Sequence, residues 1–264
     1  MHVAHPHRSR VAGIEAVSLT SSHVFPRHSH DQFGIGILTD GAQRSWSGIG
    51  PVEAEAGDVI TVNPGEIHDG APMGDRPRSW RMLYFEPSVV LGETRDESVG
   101  RAEIARPALQ DPALAQVFSR LFRVVTEPGA DPLAVEQALV ATLVRTLQRH
   151  GARPSVAGER SPCVLRALRR LNAAPEIPAS LAELAALSGV SRFQLLRAFS
   201  REVGTTPYAY LVQRRVRLAR QLLKAGQQPA AVAAASGFAD QSHLTRAFVR
   251  QFGITPARYR AAVA

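Results

Sequence analysis

Short apolar runs separated by turn residues mark the first part of the chain, from Gly13 to about Pro87. Residues 33–38 and Val59–Val62 are two such runs, and runs of this length between turn signals are typical of strands. The dipeptide Asp40-Gly41 predicts a hairpin turn, because both central positions of a type I′ turn need positive φ. Many short strands at regular spacing predict a β-barrel or a β-sandwich.

The apolar residues change to a helical period from about Leu109 onward. Two amphipathic helices are predicted, with apolar positions at Leu114, Val117, Phe118, Leu121, Phe122 and Val125, then at Leu133, Leu139, Val140, Leu143, Val144 and Leu147. They are expected to form an antiparallel pair or a dimer seam. The alternative is that they only cap the barrel.

Residues 151–162 have no periodicity and contain two glycines and two prolines, which predicts a flexible linker. The predicted organisation is a barrel over residues 1–106, a helical pair over 107–150 as a candidate dimerisation element, the linker, and a separate domain over 163–264.

Charge divides the chain at the same place. Residues 1–160 contain 16 Arg/Lys and 19 Asp/Glu, a net charge of −3, whereas residues 161–264 contain 15 and 4, a net charge of +11. A segment this basic is suited to a polyanion, since neutralising phosphates releases their counterions. The alternative is a solvated basic face.

Cysteine and hydropathy narrow the class of protein further. Cys163 is the single cysteine, so zinc fingers and internal disulfides are excluded, and a reducing compartment is expected. The N-terminus has no apolar signal segment, and no apolar run reaches 18 residues. The chain is therefore predicted to be cytoplasmic and to have no membrane partner.

The basic region contains an internal repeat. Residues 184–189 match residues 232–237 at an offset of 48, and after one inserted residue the match continues at an offset of 49. The later matching pairs are Leu195 and Leu244, Arg197 and Arg246, Phe199 and Phe248, Arg201 and Arg250, Gly204 and Gly253, Pro207 and Pro256, and Tyr210 and Tyr259.

Each copy has the parts of a helix-turn-helix: a helix of small residues, a glycine for the turn, a polar N-cap and a second amphipathic helix. Ser191 and Asp240 are the predicted N-caps. Between the copies, a helix of about 19 residues is predicted from Pro207 to Gly226. Its length of roughly 28 Å is close to the ~34 Å between successive major-groove faces of B-DNA.

These residues resemble the DNA-binding domain of the AraC family of transcription regulators, from about Pro162 to Ala264. The most diagnostic stretch is Ser236 to Phe238, followed by Leu244, Phe248, Gly253, Thr255-Pro256 and Tyr259-Arg260. The resemblance implies that exposed residues of each second helix enter the major groove. The matching positions are Arg192, Phe193, Leu196 and Arg197 in the first copy, and Gln241, Ser242, Thr245 and Arg246 in the second.

Two of these side chains are expected to specify bases. Arginine is suited to guanine O6 and N7, which indicates a reading role for Arg197, and glutamine is suited to adenine N6 and N7, which indicates one for Gln241. Leu196 can make only apolar contact, for example with a thymine methyl group. The alternative for Arg197 and Arg246 is helix packing or an intramolecular ion pair.

The N-terminal segment resembles the cupin barrel over roughly residues 20–90. His28-Ser29-His30 matches the first cupin motif, and Gly57, Pro64-Gly65 and His68 match the second. Three convergent imidazoles can form a metal site, but the glutamate of the first motif has no counterpart near Gly34 or Ile35, so Gln32 or Glu66 would have to replace it.

AraC-type regulators commonly use such a barrel for a small effector, so the resemblance favours a ligand pocket over a metal. The candidate pocket residues are His28, His30, Glu66 and His68, with Trp46 and Tyr84 as aromatic walls or, alternatively, as core residues. A metal held by His28, His30 and His68 is the less favoured interpretation.

The sequence therefore predicts an α+β multidomain protein: a cupin-like β-barrel with a helical hairpin, then an all-α domain with two helix-turn-helix motifs. The expected function is sequence-specific, effector-responsive transcription regulation, without enzymatic activity or a cofactor. Its expected partners are double-stranded promoter DNA, a small-molecule effector and a second copy of the chain, with RNA polymerase as a further candidate. The alternatives are a metal-dependent cupin enzyme fused to a DNA-binding module and a non-specific architectural DNA binder.

Overall fold

The computed structural model describes residues 2–9, 11–94, 103–152 and 160–263. The chain divides into two compact units, Met1–Ser155 and Val156–Ala264. The division falls within the predicted linker, of which residues 153–159 lie outside the described residues. Both ends of the predicted linker, residues 151–162, have secondary structure instead, since Gly151–Ala152 pairs with Glu103–Ile104 and a helix begins at Pro162.

The N-terminal unit is built mainly from antiparallel strands. The described strands are β1 (His2–His7), β2 (Ile14–Ser21), β3 (Phe25–His28), β4 (Phe33–Asp40), β5 (Ala42–Ser47), β6 (Gly50–Glu55), β7 (Val59–Val62), β8 (His68–Pro72), β9 (Arg78–Phe85), β10 (Glu103–Ile104), β11 (Ala108–Leu109) and β12 (Gly151–Ala152). Six of them form one sheet in the order β1-β2-β9-β4-β7-β11, and four form a second in the order β3-β8-β5-β6. The edge-to-face contact of Phe25 with Trp80, 6.0 Å between ring centroids, joins the two sheets.

The hairpin prediction at Asp40-Gly41 is wrong. Gly41 has the predicted positive φ of 74°, but β4 pairs with β7 and β9, whereas β5 pairs with β6 and β8. The turn therefore carries the chain from one sheet to the other. A local turn signal fixes the reversal of the backbone and not the pairing of the flanking strands, which depends on burial of their faces.

The two predicted amphipathic helices of this unit are present as α2 (Pro112–Thr126) and α3 (Pro132–His150), after the shorter α1 (Pro87–Thr94). Their apolar residues form one core with the outer face of the six-stranded sheet, including Phe118 and Leu121 against Leu83 and Phe85. The helices thus cover the sheet, as the capping interpretation expects. Asp111 connects the two helices, because its carboxylate caps α2 and accepts a hydrogen bond from the Arg145 side chain of α3 at 2.6 Å.

The C-terminal unit is helical throughout its described part. Its helices are α4 (Pro162–Ala173), α5 (Leu181–Ser188), α6 (Arg192–Val203), α7 (Pro207–Lys224), α8 (Pro229–Ala235), α9 (Gln241–Phe252) and α10 (Pro256–Val263). Leu171, Leu184, Leu195 and Phe199 belong to a core formed by α4 to α7. No helix in any described range of the chain is both long and apolar enough to cross a membrane.

Candidate functional site

The first repeat folds as a helix-turn-helix. Ser180 and Glu183 form a reciprocal capping box at the start of α5, which ends at Gly189 with a left-handed φ of 69°. Only a residue without a Cβ adopts this conformation cheaply. Ser191 then caps α6 by accepting from the backbone N–H of Gln194 at 3.2 Å. The predicted turn glycine and N-cap are thus both in place.

The outward face of α6 carries the four residues predicted to meet DNA. Leu195 and Phe199 are fully buried one turn apart, so the intervening positions turn away from the core. Phe193 is 67% exposed and Leu196 is 37% exposed. Arg192 and Arg197 are exposed on the same side, and the Arg197 guanidinium lies 5.5 Å from the centre of the Phe193 ring. This face is therefore apolar and cationic.

The second repeat also folds as a helix-turn-helix, but its turn glycine approaches a neighbouring loop more closely than that of the first repeat does. Gly237 has a φ of 80°, and a Cβ at this position would lie 2.8 Å from the Cα of Glu176 in the α4–α5 loop. Asp240 caps α9 by accepting from the backbone N–H of His243 at 2.6 Å. Glycine is needed here both for the backbone conformation and for the approach of the neighbouring loop.

The outward face of α9 is polar. Leu244 and Phe248 are fully buried, whereas Gln241, Ser242 and Arg246 are exposed. Thr245 is half-buried, and its hydroxyl donates to the backbone carbonyl of Gln241 at 2.8 Å.

All four predicted residues are therefore on or beside one face of α9. The hydroxyl proton of Thr245 serves the helix, which leaves only its oxygen as an acceptor for a partner.

Helix α7 connects the two repeats and packs against both. Thr206 caps it, Pro207 occupies its first turn, and its 18 residues give a length of about 27 Å. The helix contacts α6 of the first repeat, α8 and α9 of the second, and α10. Arg220, which is 8% exposed, donates from Nε to the hydroxyl of Tyr259 at 3.1 Å and so joins α7 to α10.

Carboxylates are scarce around the two outward faces. Helix α9 contains none after its N-cap Asp240, and the one acidic residue of α6, Glu202, is at the C-terminal end of the helix. Burial raises the pKa of Glu202, but hydrogen bonds from the backbone and hydroxyl of Ser161 and a further bond from Arg201 lower it on balance. The exposed arginines of the two faces, Arg192, Arg197 and Arg246, thus give a positive potential suited to a phosphate backbone.

In the N-terminal unit, three of the predicted pocket histidines converge. The ring centroids of His28 and His68, which pair across β3 and β8, are 4.3 Å apart, and that of His30 lies 5.1 Å from His68. Tyr84 contacts His30 edge-on at 5.0 Å.

Each of these histidines places Nδ1 within 3.0 Å of a backbone carbonyl. The carbonyl belongs to Pro26 for His28, to Gln32 for His30 and to Glu66 for His68. Such a contact orients the ring and assigns the proton to Nδ1. In a neutral ring of this tautomer, Nε2 is the acceptor atom.

Family comparisons agree with this two-part layout. The family model of the AraC-like ligand binding domain matches residues 11–143, and that of a helix-turn-helix domain matches residues 184–262. The chain belongs to the AraC family of transcription regulators.

Among curated AraC-type relatives, an uncharacterized HTH-type transcriptional regulator from Bacillus subtilis, YbfI, is 28% identical over 226 residues, which cover 83% of this chain and 81% of the relative. A putative AraC-like transcription regulator from Streptomyces antibioticus is 35% identical over 141 residues, 51% of this chain and 46% of the relative. The match thus spans less than half the length of the Streptomyces protein.

Among solved structures, apo ToxT from Vibrio cholerae has a TM-score of 0.59 at 12% identity, covering 97% of this chain and all of that chain. ToxT with a bound unsaturated fatty acid has a TM-score of 0.56 at 13% identity, covering 94% of each chain. At 12–13% identity, the similarity between this AraC-family chain and ToxT is one of fold.

Two predicted pocket residues have other surroundings. The ring of Trp46 lies 3.9 Å below the guanidinium of Arg27, and its backbone N–H donates to Asp69 at 2.7 Å. The Glu66 carboxylate accepts from the backbone and side chain of Asn63 at 2.9 and 3.0 Å, which closes the loop after β7. The structure thus groups neither side chain with the three imidazoles.

The described residues do not reproduce the cupin-type metal arrangement. At Gly34, where the cupin pattern places its glutamate, a Cβ would lie 3.0 Å from the Met82 methyl group and 3.4 Å from the Tyr84 ring. Over the described ranges, no three His, Cys, Asp or Glu side chains are placed to hold a metal ion.

Arg78, which the sequence pattern did not single out, has the largest fully buried side chain among the described residues. It is 1% exposed, donates from Nε to the side-chain oxygen of Gln43 at 3.1 Å, and lies 4.8 Å from the Trp80 ring. Burial lowers the pKa of Arg78 to about 10. Only its position in a strand rich in alternating apolar residues could have indicated that this arginine faces inward.

Proposed function

We propose that this AraC-family chain is a sequence-specific transcription regulator that places α6 and α9 in successive major grooves on one side of the duplex. The observation that carries the proposal is the pair of outward faces, with Arg197 and Gln241 at their exposed positions. Helix α7 supports the spacing, since its length of about 27 Å approaches one turn of B-DNA.

The two faces are chemically different, which supports two different half-sites. On α6, Phe193 and Leu196 provide apolar surface suited to thymine methyl groups, beside Arg197, which is suited to guanine. On α9, Gln241 and Arg246 are suited to adenine and guanine. Contacts of this kind specify sequence, whereas the surrounding arginines contribute affinity through phosphates.

A competition shift assay tests this function. Full-length protein should retain its selected site against excess random duplex at a salt concentration where electrostatic binding has weakened. The variant Arg197→Ala should lose preference for that site over mutated sites, and Arg149→Ala, on the exposed side of α3, is the matched control. Unchanged affinity and preference in Arg197→Ala would remove this residue from the readers.

For the N-terminal unit we infer a small-molecule effector pocket at His28, His30, His68 and Tyr84. The convergence of these four rings and the match to a ligand-binding family model support it. ToxT binds an unsaturated fatty acid in a structure of the same fold. A broad thermal-shift screen should yield a compound that changes both melting and operator affinity and loses its effect in His30→Gln; a screen without such a compound contradicts the pocket.

Helix α3 is the element we propose for homodimerisation. Leu133, Val140 and Val144 are 60%, 37% and 37% exposed, and their spacing of seven and four residues places them on one side of the helix. A stripe of this kind is suited to the same stripe of a second copy. We propose activation through RNA polymerase as the output, and no enzymatic role, in line with relatives that are transcriptional regulators.

A further inference from the structure

A cleft opens in the N-terminal unit where the apolar contact between the six-stranded sheet and α2 ends. It encloses about 790 Å³, within the range of small-molecule sites. Arg81 of β9 lies on one wall, and Arg120 and Arg123 of α2 lie on the other. Arg81 shares the outer face of β9 with Leu83 and Phe85, so the cleft is on the opposite side of the sheet from Tyr84 and the histidine pocket.

The charge of this cleft is uncompensated. Among the described residues, its lining includes three arginines and no carboxylate, and none of the three arginines forms an ion pair. His7, which also lines the cleft, has its pKa lowered by burial first and then by the charges of His5 and Arg81. The N-terminal part of the chain is acidic overall, so this concentration of cations is local and unusual for its surroundings.

Beside the cations the cleft has an apolar base formed by the partly buried Val117 and by the edge of Phe122, which is 5% exposed. The guanidinium of Arg81 lies 5.5 Å from the centre of the Phe122 ring, and the ring of His7 meets Phe122 edge-on at 5.3 Å. His7 Nε2 lies 2.8 Å from the hydroxyl of Ser18, which also faces the cleft. An apolar wall next to forked cationic donors matches a ligand with an apolar body and an oxyanion.

We propose that this cleft binds a small organic oxyanion, a carboxylate or phosphate ester attached to an apolar ring. The oxyanion contacts the guanidinium groups of Arg120 and Arg123, and the ring of the ligand lies against Val117 and Arg81, over the edge of Phe122. The site is separate from the effector pocket proposed above, and its occupancy does not require DNA.

Titration calorimetry of the full chain tests the proposal with 2-naphthoate, 2-naphthyl phosphate, the neutral 2-naphthylmethanol and inorganic phosphate. At least one aromatic anion should bind at least ~10-fold more tightly than the neutral analogue, since a charged hydrogen bond contributes substantially to affinity. The aromatic anion that binds more tightly distinguishes a carboxylate from a phosphate ester. Equal binding of the neutral analogue, or binding of no aromatic anion at millimolar concentration, would overturn the proposal.

Variants locate the binding. Arg120→Gln and Arg123→Gln should each weaken the anion by about 10-fold or more, with Arg120→Lys intermediate because it keeps the charge without the fork. Arg149→Gln on α3 and His30→Gln in the histidine pocket should leave it unchanged, and circular dichroism verifies folding. If His30→Gln abolishes binding while the cleft variants retain it, the anion occupies the histidine pocket and the cleft proposal is wrong, whereas the effector pocket stands.

Discussion

The two turn glycines of the repeat allow one substitution to be compared in two settings. Gly189 and Gly237 occupy matching positions and have φ values of 69° and 80°. Alanine at either position must adopt a left-handed conformation, at a cost of about 1–2 kcal/mol. At Gly189 the new methyl group meets no atom within 4 Å, but at Gly237 it would lie 2.8 Å from the Cα and 2.9 Å from the carbonyl carbon of Glu176.

The second contact is with backbone and cannot be relieved by a side-chain rotation. Overpacking of this kind adds about 1–3 kcal/mol. We therefore expect Gly189→Ala to reduce the free energy of unfolding by about 1–2 kcal/mol and Gly237→Ala by about 2–5 kcal/mol, from the sum of the two costs.

Urea unfolding of the full chain gives the free energies, and hydrogen exchange read by mass spectrometry assigns them. Gly237→Ala should accelerate exchange in α8, α9 and the loop around Glu176, whereas Gly189→Ala should affect α5 and α6. Equal losses in the two variants would refute the close approach of the α4–α5 loop to the second turn.

Three further predictions concern other parts of the molecule. Replacing thymine by deoxyuridine in the half-site bound by α6 should weaken binding about 4-fold per contacted methyl group, since a buried methylene contributes about 0.8 kcal/mol, and the half-site bound by α9 should be less sensitive in the same fluorescence titration. Asp111→Ala should lower the free energy of unfolding by about 2–3 kcal/mol in urea, because it removes the cap of α2 and the partner of Arg145. The hydrogen bond from Arg145, opposed by burial and aided by His150, holds the pKa of the Asp111 carboxyl far below its usual range, so the wild type should lose this contribution as pH falls below about 4. A variant with the same acid sensitivity as the wild type would contradict the assignment. Val140→Glu should convert the proposed dimer to a monomer in sedimentation experiments. Arg149→Glu, which is exposed on the opposite side of the same helix, is the control, and an unchanged mass of Val140→Glu would exclude this face.

The C-terminal unit could be predicted closely because its signals are local. Ser191, Gly189 and Asp240 each act on a few neighbouring backbone groups, and their roles follow from residue type. The exposed faces of α6 and α9 likewise follow from the i, i+4 spacing of the buried leucine and phenylalanine pairs.

The N-terminal unit was less predictable because its arrangement depends on distant pairings. Gly41 has the positive φ that the sequence predicted, yet β4 pairs with β9 and β5 pairs with β8, which are distant in the sequence. For the same reason the surroundings of Trp46 and the inward position of Arg78 did not follow from pattern alone. His28 and His68 come together because they are paired across β3 and β8, a register that the sequence motifs did not specify.

Selection of binding sites from random duplex DNA by the full-length protein is the most direct test of the central claim, that two different recognition helices of one chain read two half-sites. The enriched site should contain two half-sites about one helical turn apart. Arg197→Ala should relax the sequence of one half-site only, and Gln241→Ala that of the other. Enrichment of no sequence, or relaxation of the same half-site by both variants, would contradict the claim.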